Sequence, residues 1–181
     1  MGLLKEAYYP SYTYDDYALW EGDWELIEGV PYAMAPASMI KHQAISNQVA
    51  RVLSEALDGC KACQALLAVD WKISDKTVVQ PDNLVICHEP MYEAYLVKAA
   101  EIVFEIFSKS TRHKDTGIKF DLYEQEGVKY YIMIDPQTSV AKIYHLNSEG
   151  KYIKVKDVSD EVIEFSLSQC QLMFNFSKIW S

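Results

Sequence analysis

Two acids of this chain sit where acids are costly. Asp82 lies within Val78-Val79-Gln80-Pro81-Asp82-Asn83-Leu84-Val85-Ile86, and Glu105 within Ile102-Val103-Phe104-Glu105-Ile106-Phe107. Carboxylates in runs this apolar lose hydration, and an isolated buried carboxylate needs a partner or a cation. On neighbouring central strands the two side chains can converge on one point. A divalent metal is the simplest resolution, because Mg2+ takes oxygen ligands and typically uses one or two carboxylates plus a substrate phosphate. Lone acids on strands also occur at exposed edges or paired with Lys or Arg. The joint occurrence, with a lysine-rich stretch directly after Glu105, favours a site.

That stretch, Lys109–Lys119, holds Lys109, Arg112, His113, Lys114 and Lys119 against one acid, Asp115. Arg112 and Lys114 are candidates for phosphate contacts that position a nucleic-acid strand without reading its sequence. Glu25 and Glu28 alternate with Leu26 and Ile27, so both could face one side of a strand. Acids that close raise one another's pKa or share a metal; otherwise they form a solvated strand face. His42 stands near the start of a long helical pattern.

The net charge of −9 argues against nucleic acid as a partner, since phosphate neutralisation by Lys and Arg supplies most non-specific affinity. A local basic groove remains compatible with it. Much of the acid excess lies elsewhere, at Asp15–Glu28 and Asp157–Glu164. The longest apolar runs, such as Leu66–Val69, are too short to span a bilayer, and Met1–Tyr17 does not read as a secretory signal. The expected location is cytoplasmic, with no membrane partner. Cys60 and Cys63 form a Cys-x-x-Cys pair, which suits half a zinc site or a redox pair. Cys87 with His88 is the only nearby source of two more zinc ligands. In a reducing cytosol the favoured reading is two free thiols in a turn after a helix.

The elements that must position these residues follow from periodicity and punctuation. The 181 residues suit one domain, residues 1–181. Thr13 can cap a helix over Tyr14–Glu21, with Asp16 as its capping partner. Trp24–Glu28 and Val30–Met34 read as strands around Gly29. Pro36 and Ser38 mark the start of a long helix whose Ile40, Ala44, Ile45, Val49, Val52, Leu53 and Leu57 repeat at helical spacing, and Gly59 ends it. Gln64–Trp71, Val78–Cys87, Ile102–Phe107 and Val128–Asp135 read as strands. Thr111–Glu126 reads as one amphipathic helix. Val140–Leu146 and Tyr152–Val155 form a hairpin around Asn147–Gly150, and Val162–Trp180 reads as short strands and turns. The expected class is α/β, with a central mixed sheet flanked by helices and extra antiparallel strands at both ends.

Several of these segments, in order, resemble the Uma2 family of restriction-endonuclease-like proteins, within the PD-(D/E)xK nuclease class. They are Tyr12-Thr13-Tyr14-Asp15-Asp16-Tyr17, Trp24-Glu25-Leu26-Ile27-Glu28-Gly29 and Ser38-Met39-Ile40-Lys41-His42, then Val79-Gln80-Pro81-Asp82-Asn83-Leu84. Val103 to Arg112, Lys119 with Tyr123, Gly127-Val128, and Tyr131-Ile132-Met133-Ile134-Asp135-Pro136 complete the set. The resemblance implies a restriction-endonuclease-like core and Mg2+- or Mn2+-dependent hydrolysis of phosphodiesters, with DNA the expected substrate. It implies metal ligation by Asp82 and Glu105, with Glu25 or Glu28 completing the shell and His42 as an extra acid or base. A homodimer fits a class that cuts paired strands. One departure stands out: the lysine expected two residues after Glu105 is Phe107. The resemblance places the corresponding lysine on the following helix, at Lys119, with Lys114 and Lys109 as weaker substitutes. The alternative is a catalytically inactive nucleic-acid- or protein-binding module on the same fold.

Overall fold

The computed structural model describes residues 9–34, 40–88, 94–109 and 111–180. In chain order these form α1 (Tyr14–Tyr17), β1 (Trp24–Ile27), β2 (Val30–Ala33), α2 (Ile40–Ala56), β3 (Gln64–Leu67), β4 (Trp71–Ser74), β5 (Thr77–Val79) and β6 (Asn83–Ile86). Then come β7 (Ile102–Ile106), α3 (Arg112–Thr116), α4 (Ile118–Gln125), β8 (Tyr130–Asp135), β9 (Val140–Leu146), β10 (Tyr152–Val158), β11 (Val162–Ser166) and β12 (Gln171–Asn175), with a 3-10 turn at Phe176–Lys178.

The central sheet has six strands in the order β10-β9-β8-β7-β6-β3. Its one parallel pair is β7 with β8. Parallel neighbours need a crossover, and α3 with α4 supplies it. Strand alternation sorts the core into two layers. Val85, Ile102, Phe104, Ile106, Ile132 and Ile134 pack with α2 and with Phe165, Leu172 and Phe174 of β11 and β12. Leu84, Ile86, Val103, Tyr131 and Met133 pack on the other face with Trp71 and with Tyr123 of α4. Glu105 shares the parity of Val103, so its carboxylate enters this second layer, beneath the crossover helices. A separate four-stranded sheet, β2-β1-β5-β4, stands beside it, and β11-β12 form their own two-stranded sheet. The α/β architecture with a central mixed sheet agrees with expectation.

Several boundaries differ, each for a local reason. The first helix is one turn long, although Asp16 Oδ2 does accept from the Thr13 backbone N–H at 2.8 Å. The strand expected over Trp24–Glu28 ends at Ile27, because Glu28 (φ 50°) and Gly29 (φ 79°) form a two-residue hairpin turn with both central residues in the left-handed region. Pro31 is tolerated because β2 is an edge strand. Two of the expected strands each divide. Gln64–Trp71 becomes β3 and the start of β4, and Val78–Cys87 becomes β5 and β6, with each half in a different sheet. Pro81 cannot donate to a ladder, and the chain crosses between sheets there. Asp82 therefore occupies the bend entering β6 and not a strand interior. The helix expected over Thr111–Glu126 breaks at Gly117 (φ −116°, ψ −100°). Pro36 and Ser38 lie outside the described residues.

The cysteines differ most. Cys60 pairs with Cys170, and Cys63 with Cys87, as disulfides. Separations of 110 and 24 residues are closed by the fold. The β3–β6 ladder, with Gln64 opposite Ile86, brings Cys63 against Cys87, and packing of the C-terminal hairpin on α2 brings Cys170 to Cys60. Among the described residues no helix is long and apolar enough to cross a membrane.

Candidate active site

The crossover geometry determines what meets Glu105. Asp115, Lys119 and Tyr123 recur at four-residue spacing, so α3 and α4 present them as one stripe to the sheet. All three are buried. Lys119 Nζ lies 2.5 Å from Glu105 Oε1, and the Tyr123 hydroxyl donates to the same oxygen at 2.7 Å. Lys119 also donates to Glu25 Oε1 at 2.8 Å and stands 4.0 Å from Asp115 Oδ1. One ammonium thus faces three carboxylates. Glu25, wholly buried on β1, accepts further from the Gln80 backbone N–H at 2.9 Å and from Lys114 Nζ.

Asp82 approaches from the β5–β6 bend. Its Oδ2 accepts from the Ile106 backbone N–H at 2.7 Å and lies 3.2 Å from His42 Nε2. Reciprocal bonds aim His42: Ser46 Oγ donates to Asn83 Oδ1 at 3.0 Å, and Asn83 Nδ2 donates to the Ser46 carbonyl at 3.1 Å. They pin α2 against β6 one turn beyond His42. Asp82, Glu105, Asp115, Lys114, Lys119 and His42 all line one open cleft of about 1030 Å3, whose rim also carries Lys109 and Gln80.

Burial sets the protonation of these groups. Burial opposes charge on Lys119, yet Glu105, Glu25 and Asp115 outweigh it and hold the amine well above its usual pKa. Burial likewise opposes ionisation of Glu25, but Lys119 and Lys114 pull its carboxyl below the usual range. Glu105 goes the other way: burial pushes it well up, against the pull of Lys119. Burial raises Asp115 to about 6. His42 is raised, because its hydrogen bond to Asp82 and the charge of that group outweigh burial.

These residues suit a hard divalent cation. The cleft carries the carboxylates of Asp82, Glu105 and Asp115, with Glu25 behind them, and the ammonium groups of Lys109, Lys114 and Lys119. Among the described residues Asp115 Oδ2 is buried without a hydrogen-bond partner, an acceptor that a cation would satisfy. Among the described residues these carboxylates do not gather three at a time within 4.8 Å. That spacing accords with Mg2+, which retains waters and recruits substrate phosphate in place of a full protein cage.

The structure therefore brings Asp82, Glu105, Lys119, His42, Lys114 and Glu25 together. It leaves Glu28 outside, exposed in the hairpin turn. It stands three positions after Glu25, and a period of two sends positions at an odd offset to opposite faces. Glu25 itself is committed to two lysines. Arg112 lies away from the cleft, bonded to Asp135 Oδ2 at 2.6 Å with its guanidinium over the Phe107 ring. Phe107, at the position where the strand lacks its lysine, is buried in the core. Asp115 is the residue that sequence reading passed over; its four-residue spacing from Lys119 was the available signal.

The family model of Uma2, described as "Putative restriction endonuclease", matches residues 14–172. The chain belongs to the Uma2 family. No curated protein matches it. Among solved structures, a "putative nuclease belonging to DUF820" from Anabaena variabilis ATCC 29413 superposes with a TM-score of 0.73 at 15% identity, covering 93% of this chain and 97% of that one. At that identity the likeness establishes a shared fold. A DrdV–DNA complex aligns with a TM-score of 0.33 at 12% identity, over 63% of this Uma2 chain and 12% of that one.

Proposed function

We propose that this Uma2 chain is a divalent-metal-dependent nuclease that hydrolyses phosphodiester bonds of DNA in the cytoplasm. The observation that carries the reading is Lys119. A lysine delivered from the crossover helix reaches Glu105 at 2.5 Å, which supplies the charge that Phe107 cannot. Asp82 and Glu105 would hold Mg2+ or Mn2+, with the open oxygen of Asp115 beside them. Such an ion activates water and neutralises charge on a transferring phosphoryl group.

The chain's own groups account for the remaining roles. Lys119 stays charged and offers N–H donors where negative charge develops on the scissile phosphate. Glu25 is a positioning residue: it fixes Lys119 and Lys114 from behind. His42, bonded to Asp82, orients that carboxylate and stands near enough to relay a proton to or from water in the cleft. Lys109 and Lys114 on the rim are suited to phosphates flanking the cut. The acidic remainder of the surface confines nucleic acid to this cleft by repulsion elsewhere. A second copy in a homodimer would serve the opposite strand of a duplex.

The test is a panel of double- and single-stranded DNA, RNA and a small phosphodiester, incubated with Mn2+ or with chelator. Mn2+-dependent DNA cleavage that Asp82→Ala abolishes is the expected result. DNA binding without turnover across the panel would overturn it in favour of a non-catalytic binding module.

A further inference from the structure

The four cysteines lie on the face of the central sheet opposite the acid cleft, and the proposed nuclease reaction does not use them. Cys60 and Cys63 come from the turn between α2 and β3, Cys87 from the end of β6, and Cys170 from the turn joining β11 to β12. The sulfurs of Cys60, Cys63 and Cys170 all lie within 4.8 Å of one another, and the sulfur of Cys87 is bonded to that of Cys63. All four cysteines of the chain are thus brought together from three separate segments, with Cys87 joined to the group of three through Cys63.

We infer that this tetrad, when reduced, is a structural Zn2+ site with four thiolate ligands. A tetrahedral zinc with Zn–S bonds of ~2.3 Å has S–S edges of roughly 3.8 Å. The non-bonded contact between Cys63 and Cys170 already has that length, 3.8 Å. Once the two disulfides open, Cys60 and Cys170 have only to separate to the same edge, and Cys87, whose sulfur lies outside the 4.8 Å group of the other three, has to turn towards them. The donor chemistry is selective. Four soft sulfurs favour Zn2+ over Mg2+, whereas the oxygen donors across the sheet favour Mg2+. The setting is closed, as structural sites are: Cys60 and Cys63 belong to the buried core around α2, and Cys87 and Cys170 pack against it.

The chemistry balances with a dithiol as the reductant. Two dithiols each give two electrons and two protons to one disulfide, yielding four protein thiols and two oxidised dithiols. Zn2+ then displaces four protons from the thiols as four Zn–S bonds form. The ion would anchor the β11–β12 hairpin, which makes no ladder with the central sheet, to α2 and to the β3–β6 edge.

The full chain, purified with reductant and without chelator, is tested by elemental analysis and by Co2+ substitution. One zinc per chain is expected, with the sulfur-to-cobalt charge-transfer bands of a tetrahedral thiolate site. Asp82→Ala should leave those bands unchanged, and Cys60→Ser with Cys170→Ser should remove them. If the double variant does not fold, the cobalt spectrum of the unaltered chain decides. Unfolding on reduction with refolding on addition of Zn2+ also supports the site. Reduced chain that takes up no zinc, refolds no better with it, or shows cobalt bands without thiolate character would overturn the proposal.

Discussion

Replacing Lys119 with Met removes the charge that Glu25 and Glu105 share, at nearly constant volume. Both carboxylates are buried, so they cannot regain water without opening the site. Removing one partner of a buried ion pair costs about 3–5 kcal/mol. Two features of the site place Lys119→Met at the lower end. Glu25 keeps Lys114, and Glu105 keeps the Tyr123 hydroxyl and readily takes up a proton, because burial has already raised its pKa. A loss of about 3 kcal/mol follows, which for a chain of this size lowers Tm by roughly 6–12 °C. Urea unfolding in chelator near neutral pH measures it, and Lys119→Met combined with Glu105→Gln should recover part of the loss. A cost below about 1 kcal/mol, the range of exposed pairs, would refute the buried hub. So would strict additivity in the double variant.

Asp115 and Glu25 should respond to pH in opposite senses. Asp115 is raised to about 6 by burial, so its ionisation opposes folding as pH rises from ~4 towards that value. Asp115→Asn should stabilise the metal-free chain at neutral pH by about 1–3 kcal/mol, have little effect below pH ~4, and gain less from added Mg2+ than the unaltered chain in thermal melts. Glu25 is held low by Lys119 and Lys114 against burial. Its stabilisation is complete above the usual glutamate value of ~4.3 and is lost as pH falls through its lower folded value. Glu25→Gln should therefore be destabilised at neutral pH and show a shallower acid limb in its stability profile. Gly29→Ala should cost more than about 1 kcal/mol in urea unfolding, because a Cβ there, at φ +79°, would lie 2.5 Å from Ser11 Oγ and 3.3 Å from the Tyr12 carbonyl.

Glu105 was legible because one acid interrupts an apolar run, and strand parity then fixes the layer it enters. Asp82 was legible as a candidate, but its position in a bend was not. Periodicity reports the face a segment buries and is silent about which sheet it joins, so Gln64–Trp71 and Val78–Cys87 each read as one strand where two form. The break at Gly117 has the same origin. One glycine within a helical pattern is tolerated or kinked according to what the helix must reach, and here that is the Glu105 carboxylate. Lys119 was assigned only through the family likeness, because its burial depends on a crossover between parallel strands. The cysteine tetrad was only half legible, as Cys60-x-x-Cys63, because Cys87 reaches it through ladder register and Cys170 through hairpin docking.

The most direct test of the cleft is a crystal structure grown in Mn2+ with a short DNA duplex, read by anomalous scattering. An anomalous peak coordinated by Asp82 and Glu105, with Lys119 turned towards a phosphate oxygen at that metal, is the predicted result. DNA bound elsewhere on the surface, or Mn2+ absent from the space between those two carboxylates, would contradict the account.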